Sequence, residues 1–188
     1  FKDINNDGKI DADDMTYIGS PLPDFNWGLT NSLQFKGFDF TLFLQGSQGV
    51  QAFNFLRWQL EGMNNAWSNQ LRTVMDRYTE NNVDGKLPRF TNTNKNNTAM
   101  SDRYVEDASY WRIQNITLGY RLPTEITRKA KIKNLRVYGS IQNLHTFTSY
   151  SGYDPEIGLL NNNIRLSNVD TGHYPNPRTF TVGINVEF

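Results

Sequence analysis

The residues of this sequence whose types and spacing could do chemistry lie near its start. Residues 3–14 read DINNDGKIDADD, in which oxygen-bearing groups recur at alternate positions. Gly8 falls at the sixth position, where an EF-hand-type loop turns sharply. Calcium takes about six to eight oxygen ligands, so the spacing predicts a structural calcium site in this loop. The predicted metal ligands are Asp3, Asn5, Asp7, Lys9 (through its backbone carbonyl), Asp11 and Asp14.

A second interpretation of the same loop stays open. Asp14 stands where EF-hand loops usually carry glutamate, and its shorter side chain reaches less far toward a cation. The alternative is a turn rich in Asp and Asn that binds no metal, because these side chains readily hydrogen-bond their own backbone.

Other chemically active residue types form no catalytic pattern. His145 and His173 have no carboxylate at ligand or catalytic spacing. Glu106 and Asp107 are sequence neighbours, which cannot by themselves face one another across a cleft as glycoside hydrolysis requires. We therefore predict that the chain is not an enzyme.

The composition narrows the class of protein. The 188 residues carry a formal net charge of zero and contain no cysteine. Without a net positive charge, the composition does not favour nucleic-acid binding. Without cysteine, neither disulfides nor thiolate metal sites can form. The sequence contains no run of about 18 apolar residues, so no transmembrane helix is predicted. With 37% hydrophobic and 13% aromatic residues, the chain suits a barrel with a polar lumen better than a compact soluble core.

The elements that must position such a loop are β-strands, and the clearest is residues 178–188. Its apolar and polar residues alternate strictly, which gives a strand one apolar and one polar face. The length and the final aromatic residue fit a strand of an outer-membrane barrel. The apolar set is also the predicted membrane-assembly signal: Phe180, Val182, Ile184, Val186 and Phe188.

Long and short connections alternate between the predicted strands. The predicted segments are an extracellular loop at 1–23, a strand hairpin at 24–46, a long extracellular loop at 47–103, a second hairpin at 104–147, an extracellular loop at 148–177 and the C-terminal strand at 178–188. Outer-membrane barrels have short periplasmic turns and long extracellular loops, so the C-terminus is predicted to be periplasmic. Five strands are too few to close a barrel, which predicts a C-terminal piece of a larger one.

Two connections carry further predictions. Short helices are predicted within the long loop, at Asn54–Glu61 and Asn69–Thr79, the second from apolar residues at helical spacing. Pro123–Asn134 is rich in lysine and arginine and is predicted to be a solvated turn.

Four stretches together resemble the C-terminal part of SusC/RagA-type TonB-dependent transporters of Bacteroidetes outer membranes. The resemblance covers nearly the whole chain and is poorest over 47–100. The stretches are FKDINNDGKIDADDMTYIGSPLPDFNWG, SDRYVEDASYWRIQNITLGYRLP, LRVYGSIQNLHTFTSYSGYDPE and YPNPRTFTVGINVEF.

The resemblance implies an all-β fold, in which this chain supplies the last strands of a 22-stranded transmembrane antiparallel barrel whose long extracellular loops carry short helices. It implies an N-terminal plug and import of oligosaccharides or peptides across the outer membrane. The implied partners are a SusD-like lipoprotein, the TonB complex, which acts through the N-terminal part, and outer-membrane lipid.

Two rival functions make different structural predictions. A soluble, calcium-stabilised, carbohydrate-binding β-domain would bury the apolar faces of its strands in a core. A secreted glycan-active enzyme domain would oppose two carboxylates across a cleft.

Overall fold

Strands dominate the structure. The computed structural model describes residues 1–63, 69–91 and 99–188. Within these residues the strands are β1 (Phe25–Phe35), β2 (Phe38–Gln48), β3 (Gln51–Phe53), β4 (Val105–Asp107), β5 (Tyr110–Arg121), β6 (Asn134–Thr148) and β7 (Thr179–Glu187). The helices are α1 (Phe55–Glu61), α2 (Thr124–Thr127) and short 3-10 helices at Ala12–Asp14, Arg72–Asp76, Asp102–Tyr104, Arg128–Ala130, Leu160–Asn162 and Ile164–Leu166.

The strands form two antiparallel sheets. The larger sheet has five strands in the order β1-β2-β5-β6-β7, and the smaller pairs β3 with β4. The larger sheet is open in the described residues, with β1 and β7 as its edge strands. This arrangement confirms the predicted all-β class.

The chain divides into two compact units. The sheet unit comprises Leu22–Val50, Ala108–Tyr150 and Tyr174–Phe188 and holds the five-stranded sheet. The loop unit comprises Phe1–Pro21, Gln51–Asp107 and Ser151–His173 and holds the start of the chain and the long connections.

Two short connections of the sheet unit join neighbouring strands. Lys36 and Gly37 turn β1 into β2, and both have a positive φ, 46° and 87°. Residues 122–133 connect β5 to β6 and contain α2. The other connections between strands of this sheet run through the loop unit.

The helix prediction within the long loop holds for one segment and is wrong for the other. α1 begins at Phe55, after Asn54, whose side-chain oxygen accepts the amide of Arg57 at 2.9 Å. Asn69–Thr79 contains only the 3-10 helix Arg72–Asp76, which has no side-chain cap at its start. The backbone beyond it bonds elsewhere instead: the amide of Tyr78 donates to the carbonyl of Leu87. That pairing replaces the bonds that would have extended a helix.

Three buried apolar residues of the loop unit form a small core. Met63, Val74 and Leu87 pack together as one cluster. Across residues 1–63, 69–91 and 99–188, no helix is long and apolar enough to cross a membrane.

Candidate functional site

One face of the five-stranded sheet is apolar apart from two polar side chains, Asn31 on β1 and His145 on β6. Strand alternation and register place these residues on it, hereafter the apolar face: Trp27, Leu29, Leu33, Phe35, Phe38, Phe40, Leu42, Leu44, Trp111, Ile113, Ile116, Leu118, Tyr120, Leu135, Val137, Ile141, Phe147, Phe180, Val182, Ile184 and Val186. Leu118 lies on the central strand β5 and is still 53% exposed. In the described part of the chain, no member of this face is buried.

Aromatic rings lie at both ends of the apolar face, measured along the strands. At the end with the short connections, the ring centroids of Phe38 and Tyr120 are 4.5 Å apart. At the other end, Trp111 and Phe147 stack with centroids 3.8 Å apart and planes 7° apart. His145 meets the Phe147 ring edge-on at 4.3 Å.

The distance between the two aromatic ends matches a membrane. At about 3.3 Å per residue, Trp111 and Tyr120 are roughly 30 Å apart along β5. At the tilt of about 40° that strands have in outer-membrane barrels, this length would span roughly 23 Å, close to the ~25 Å apolar band of such barrels. Aliphatic residues such as Ile116 and Ile141 fill the middle of the face.

A bulge decides which residues belong to the apolar face. The pairing shifts register between Ile113 and Asn115, and Asn143 on the partner strand adopts a positive φ of 53°. On β5, odd-numbered residues face the apolar side before the shift, and even-numbered residues face it after the shift. Period-2 counting in the sequence therefore missed Trp111 and Phe147. A signal was available in the aromatic and apolar residues at 111, 113, 145 and 147.

A glycine makes room for the aromatic row. A Cβ built on Gly46 would lie 2.6 Å from the Trp27 indole and 2.7 Å from the carbonyl oxygen of Tyr110. A side chain at this position would therefore displace either the ring or the neighbouring strand.

The opposite face of the sheet is polar and internally bonded. Arg136 pairs with Asp39 through two contacts, one of them from Nε to Oδ1 at 2.8 Å. The Thr117 hydroxyl donates to Asn115 Oδ1, and its oxygen lies 3.0 Å from the Ser140 hydroxyl oxygen. These are groups that water or a polar solute can meet.

A buried guanidinium continues the polar face. Arg112 is 1% exposed, and its Nε donates to Thr146 Oγ1 at 2.7 Å. Its guanidinium also lies over the Tyr110 ring, 5.4 Å from the centroid.

The predicted calcium loop is closed by its own carboxylates. Asp3 accepts the amides of Asn6 and Gly8, at 2.6 and 2.8 Å. Asp14 accepts the amide of Ile4 at 2.7 Å, which joins the two ends of the loop. Gly8 has a φ of 83°, as the sharp turn at the sixth position requires.

The remaining loop ligands make shorter-range bonds. Asn5 accepts the amide of Asp7, Asp7 accepts the amide of Lys9, and Asp11 accepts the amide of Asp13. The amide of Ile4, followed by that of Asp11, holds the pKa of Asp14 below its ordinary value.

The loop geometry fits a calcium site only in part. Among the described residues, no group of three or more His, Cys, Asp or Glu side chains lies close enough to hold a metal ion. The carboxylates are nevertheless arranged around one turn. An ionised carboxylate has about four lone-pair sites, so an oxygen that accepts an amide can still bind a cation. Calcium binding by Asp3, Asn5, Asp7, Lys9, Asp11 and Asp14 therefore remains a prediction.

The loop unit contains a partly buried ionic network that the sequence did not reveal. Arg57 bonds Glu61 at 2.8 Å and Glu106 at 3.0 Å. Glu106 also accepts the amide and hydroxyl of Ser151, and Glu61 accepts the hydroxyl of Thr73. The network joins α1 and β4 to Ser151. In the sequence, only the Arg57–Glu61 pair could have been expected, because these residues lie four positions apart on one predicted helix.

Hydrogen bonding sets the charge state of this network. Burial raises the pKa of Glu106, but the bonds from Ser151 and Arg57 outweigh it and lower that pKa below its ordinary value. Burial likewise opposes the charge of Arg57, but its bonds to Glu106 and Glu61 raise its pKa. Both groups are therefore charged at neutral pH.

The terminal strand β7 carries the predicted assembly residues on one face. Phe180, Val182, Ile184 and Val186 pair with apolar-face positions of β6, and Val186 lies opposite Leu135. Phe188 follows the last paired residue and is exposed. The geometry brings the set together on a strand edge, and its role in assembly remains a prediction.

Known proteins resemble this chain over its whole length. The chain is 38% identical to TonB-dependent receptor P3 and 35% identical to TonB-dependent receptor P26, both of Formosa agariphila. It is 30% identical to TonB-dependent receptor SusC of Bacteroides thetaiotaomicron. Each match covers 100% of this chain but only 17–19% of the relative, so the chain spans less than a fifth of the length of these curated relatives. No protein-family model matches the chain.

Solved structures match the fold. Against the RagAB peptide importer in the closed-closed state, the TM-score is 0.78 with 25% identity, over 97% of this chain and 20% of that chain. Against the RagAB peptide transporter, the TM-score is 0.77 with 26% identity, over 90% of this chain and 18% of that chain.

The open antiparallel sheet matches the barrel of RagA-type receptors, which confirms the predicted fold class. The whole chain matches a segment of SusC/RagA-type TonB-dependent receptors, as the resemblance in the sequence predicted. Its relatives are named as receptors and importers, consistent with the prediction that it is not an enzyme.

Proposed function

We propose that this chain forms part of the wall of an outer-membrane transporter that imports nutrients with energy supplied through the TonB complex. The observation that carries the proposal is the apolar face, uncovered on its central strand and bounded by aromatic rings. A soluble protein rarely leaves so extended an apolar surface exposed. Membrane lipid is the solvent in which this face is stable. The rival soluble β-domain requires these side chains to be buried, and Leu118 is not.

The polar face is then the lumen of the barrel. The Asp39–Arg136 pair and the Thr117–Ser140 contact lie on it, as the alternation of apolar-out and polar-in residues demands. In this orientation the connections at 36–37 and 122–133 are periplasmic turns. The C-terminus is periplasmic, and the long connections of the loop unit are extracellular.

The relatives support a proposal for the cargo and the partner. The RagAB neighbours are named peptide importers, and the sequence relatives include SusC. We infer that the complete receptor works with a SusD-like surface lipoprotein and imports either peptides or oligosaccharides. The loop unit, with many polar contacts and a fixed ionic network, would form part of the vestibule that the lipoprotein covers.

The loop at residues 3–14 would bind calcium as a structural clip. Support comes from the six-residue ligand pattern and from Asp3 and Asp14, which accept amides around the same turn. The ion would tie the start of this segment into a fixed shape. No chemical step depends on it.

The apolar residues of β7 would act as the assembly signal for membrane insertion. Phe188→Ala tests this role, because it removes the terminal ring while leaving the paired strand. We expect less receptor in the outer membrane, with Glu187→Ala as the control. Normal surface levels of Phe188→Ala would contradict the role.

The test of the main proposal uses the full-length receptor with an affinity tag. We expect it in the outer-membrane fraction, with heat-modifiable migration in detergent and a lipoprotein recovered after cross-linking. Uptake of labelled peptide or oligosaccharide mixtures should stop when TonB is deleted, and the retained class identifies the cargo. A lone species in the soluble fraction, or uptake unchanged without TonB, would overturn the proposal.

A further inference from the structure

The connection between β5 and β6 is strongly basic in a chain whose formal net charge is zero. Residues 122–133 read LPTEITRKAKIK, with one carboxylate, Glu125, against four cations. All four basic side chains are exposed, and they are Arg128, Lys129, Lys131 and Lys133. The sequence alone predicted a solvated turn here. The structure adds how these charges are held and what lies beside them.

The backbone of this connection is compact and fixed. Thr127 is 3% exposed, and its hydroxyl donates to the carbonyl of Thr124. The amide of Ile132 donates to the carbonyl of Thr127 at 3.2 Å, which closes the turn. The amide of Lys133 donates to the carbonyl of Glu187 at 2.8 Å, which anchors it to β7. The cations are therefore presented from a defined position at the end of the sheet.

An apolar side chain stands among these cations. Ile126 is 60% exposed and lies on α2, two residues before Arg128. The connection directly follows β5, whose Tyr120 ring contacts Phe38 at the end of the apolar face. The neighbouring turn adds Lys36, whose Nζ lies 5.3 Å from the centre of the Phe35 ring. The apolar face thus ends in rings, then in exposed cations.

This order of surfaces, first apolar, then aromatic, then cationic, is typical of a protein at a membrane–water interface. Rings with polar or charged neighbours settle at headgroup depth, and lysine and arginine extend from there toward anionic groups. Exposed cations just beyond an apolar span attract anionic lipid headgroups. An acidic peptide would match the charge of this connection but would leave Ile126 and the rings beside it unmatched.

We propose that residues 122–133 bind the headgroups of anionic phospholipids in the membrane leaflet at the short-connection end of the sheet. This inference rests on the proposed function, because it requires the apolar face to lie in lipid. The phosphate of the headgroup would meet Arg128, Lys129 and Lys133. The acyl chains would lie along Ile126 and the apolar face.

The experiment measures phospholipid retained by the purified full-length receptor in native mass spectrometry. The probes are phosphatidylglycerol, which is anionic, and phosphatidylethanolamine, which has no net charge. The test variant is Arg128→Gln/Lys129→Gln/Lys133→Gln. Lys131 stays unchanged because its φ of 59° makes that position sensitive to substitution. We expect the wild type to prefer phosphatidylglycerol and the variant to retain it at least about tenfold less.

A matched control removes the same charge elsewhere. Lys2→Gln/Arg72→Gln/Lys86→Gln changes three exposed cations of the loop unit. We expect this control to retain phosphatidylglycerol as the wild type does. A second control, Arg128→Lys, keeps the charge and should keep the lipid. Equal retention by the test variant and the wild type, or equal loss in both triple variants, would overturn the proposal.

Two further outcomes are decisive. Retention of inorganic phosphate, but of neither phospholipid, by the wild type would assign the cations to free phosphate and overturn the headgroup site. Recovery of an acidic protein by the wild type in place of a lipid preference would also overturn it. If the triple variant fails to assemble, Arg128→Gln/Lys129→Gln decides instead, with a smaller loss expected.

Heat-modifiable migration separates this proposal from the proposed function. A test variant that still migrates as a folded barrel but loses the lipid supports the headgroup site. A test variant that migrates as a folded barrel and keeps the lipid overturns the headgroup site while the transporter wall stands. A wild-type receptor without such migration would count against both.

Discussion

Val182 in the sheet unit and Val74 in the loop unit are the same residue type in opposite surroundings. Val182 is 83% exposed on the apolar face, whereas Val74 is 5% exposed and packs with Met63 and Leu87. The loop unit therefore gains stability as a water-soluble protein does, by removing apolar side chains from water. The sheet unit leaves them outside, where only an apolar surrounding stabilises them.

Polar groups in the two units differ in the same way. In the loop unit, Glu61 is buried but bonded to Arg57 and Thr73, as a buried charge must be. In the sheet unit, polar side chains such as Thr117 and Ser140 gather on one face and bond along it. Polar side chains of the loop unit are therefore paired within it, as in a water-soluble protein. Those of the sheet unit are segregated onto one face, as in the wall of a membrane barrel.

The largest expected effect comes from a charge placed on the apolar face. Ile141→Arg puts a guanidinium near the middle of β6, on the row that pairs with Ile116 and Phe180. An arginine at the membrane midplane costs about 2–4 kcal/mol in barrel stability. We expect little folded receptor in the outer membrane, measured by heat-modifiable migration and surface labelling.

The neighbouring position provides the control for this charge. Gln142→Arg adds the same side chain one residue along, where it is exposed on the polar face. We expect near-normal levels of folded receptor. If both variants assemble equally well, the apolar face does not contact lipid and the contrast between the two units disappears.

The second effect tests the aromatic end of the sheet. Gly46→Ala places a methyl group 2.6 Å from the Trp27 indole and 2.7 Å from a backbone oxygen. Crowding of this kind costs about 1–3 kcal/mol. We expect a lower urea midpoint for unfolding of the full-length receptor in detergent or lipid.

A second glycine shows whether the space at Gly46 matters. Gly139 lies on the apolar face of β6, and a Cβ there meets nothing nearer than a carbonyl oxygen at 4.0 Å. Gly139→Ala should leave the midpoint almost unchanged. Equal midpoints for the two alanine variants would show that Trp27 does not depend on Gly46.

The faces of the sheet were largely predictable from the sequence because side-chain direction in a strand is a local property. The alternation of Phe180 to Phe188 predicted the apolar side of β7 correctly. The same counting failed on the part of β5 that precedes Gln114. There the bulge reverses the parity and moves Trp111 onto the apolar face. A bulge depends on the pairing of two strands, which a period counted along one strand does not contain.

The ionic network of the loop unit was beyond sequence reasoning for a different reason. Glu106 meets Arg57, 49 positions away, and Ser151, 45 positions away. Only the fold decides that these residues meet. The predicted calcium loop is the opposite case, because its hydrogen bonds span at most 10 positions and its turn is encoded by Asp, Asn and Gly at fixed spacing.

The third prediction targets that network and should affect the loop unit alone. Glu106→Gln removes the charge that Arg57 neutralises and that Ser151 hydrogen-bonds, at a local cost of about 1–2 kcal/mol. We expect faster hydrogen exchange across residues 151–173 without a change in the sheet. Glu80→Gln, an exposed glutamate of the same unit, is the control. Faster exchange in β5 and β6 as well would show that the network also supports the sheet.

The same network gives the loop unit a pH dependence. The pKa of Glu106 is lowered in the folded chain. Its contribution to stability is therefore fully present above the ordinary glutamate pKa and is lost as the pH falls through the lowered value. Residues 151–173 should lose protection in that acid range in the wild type. Glu106→Gln should show the weak protection at every pH, and a wild-type profile in the variant would exclude Glu106 as the titrating group.

The smallest expected effect on folding comes from the predicted calcium loop, whose members lie at the surface. Asp7→Asn removes one ligand charge but keeps an oxygen that can accept the amide of Lys9. We expect calcium to slow proteolysis of residues 1–21 in the wild type, with about tenfold weaker calcium affinity in the variant, ~1.4 kcal/mol of binding free energy. Asp13→Asn removes the same charge outside the predicted ligand set and should respond as the wild type does. Proteolysis that ignores both calcium and Asp7→Asn would mean that the hydrogen bonds of Asp3 and Asp14 alone hold the loop, and the segment would then be an Asx-rich turn without a metal.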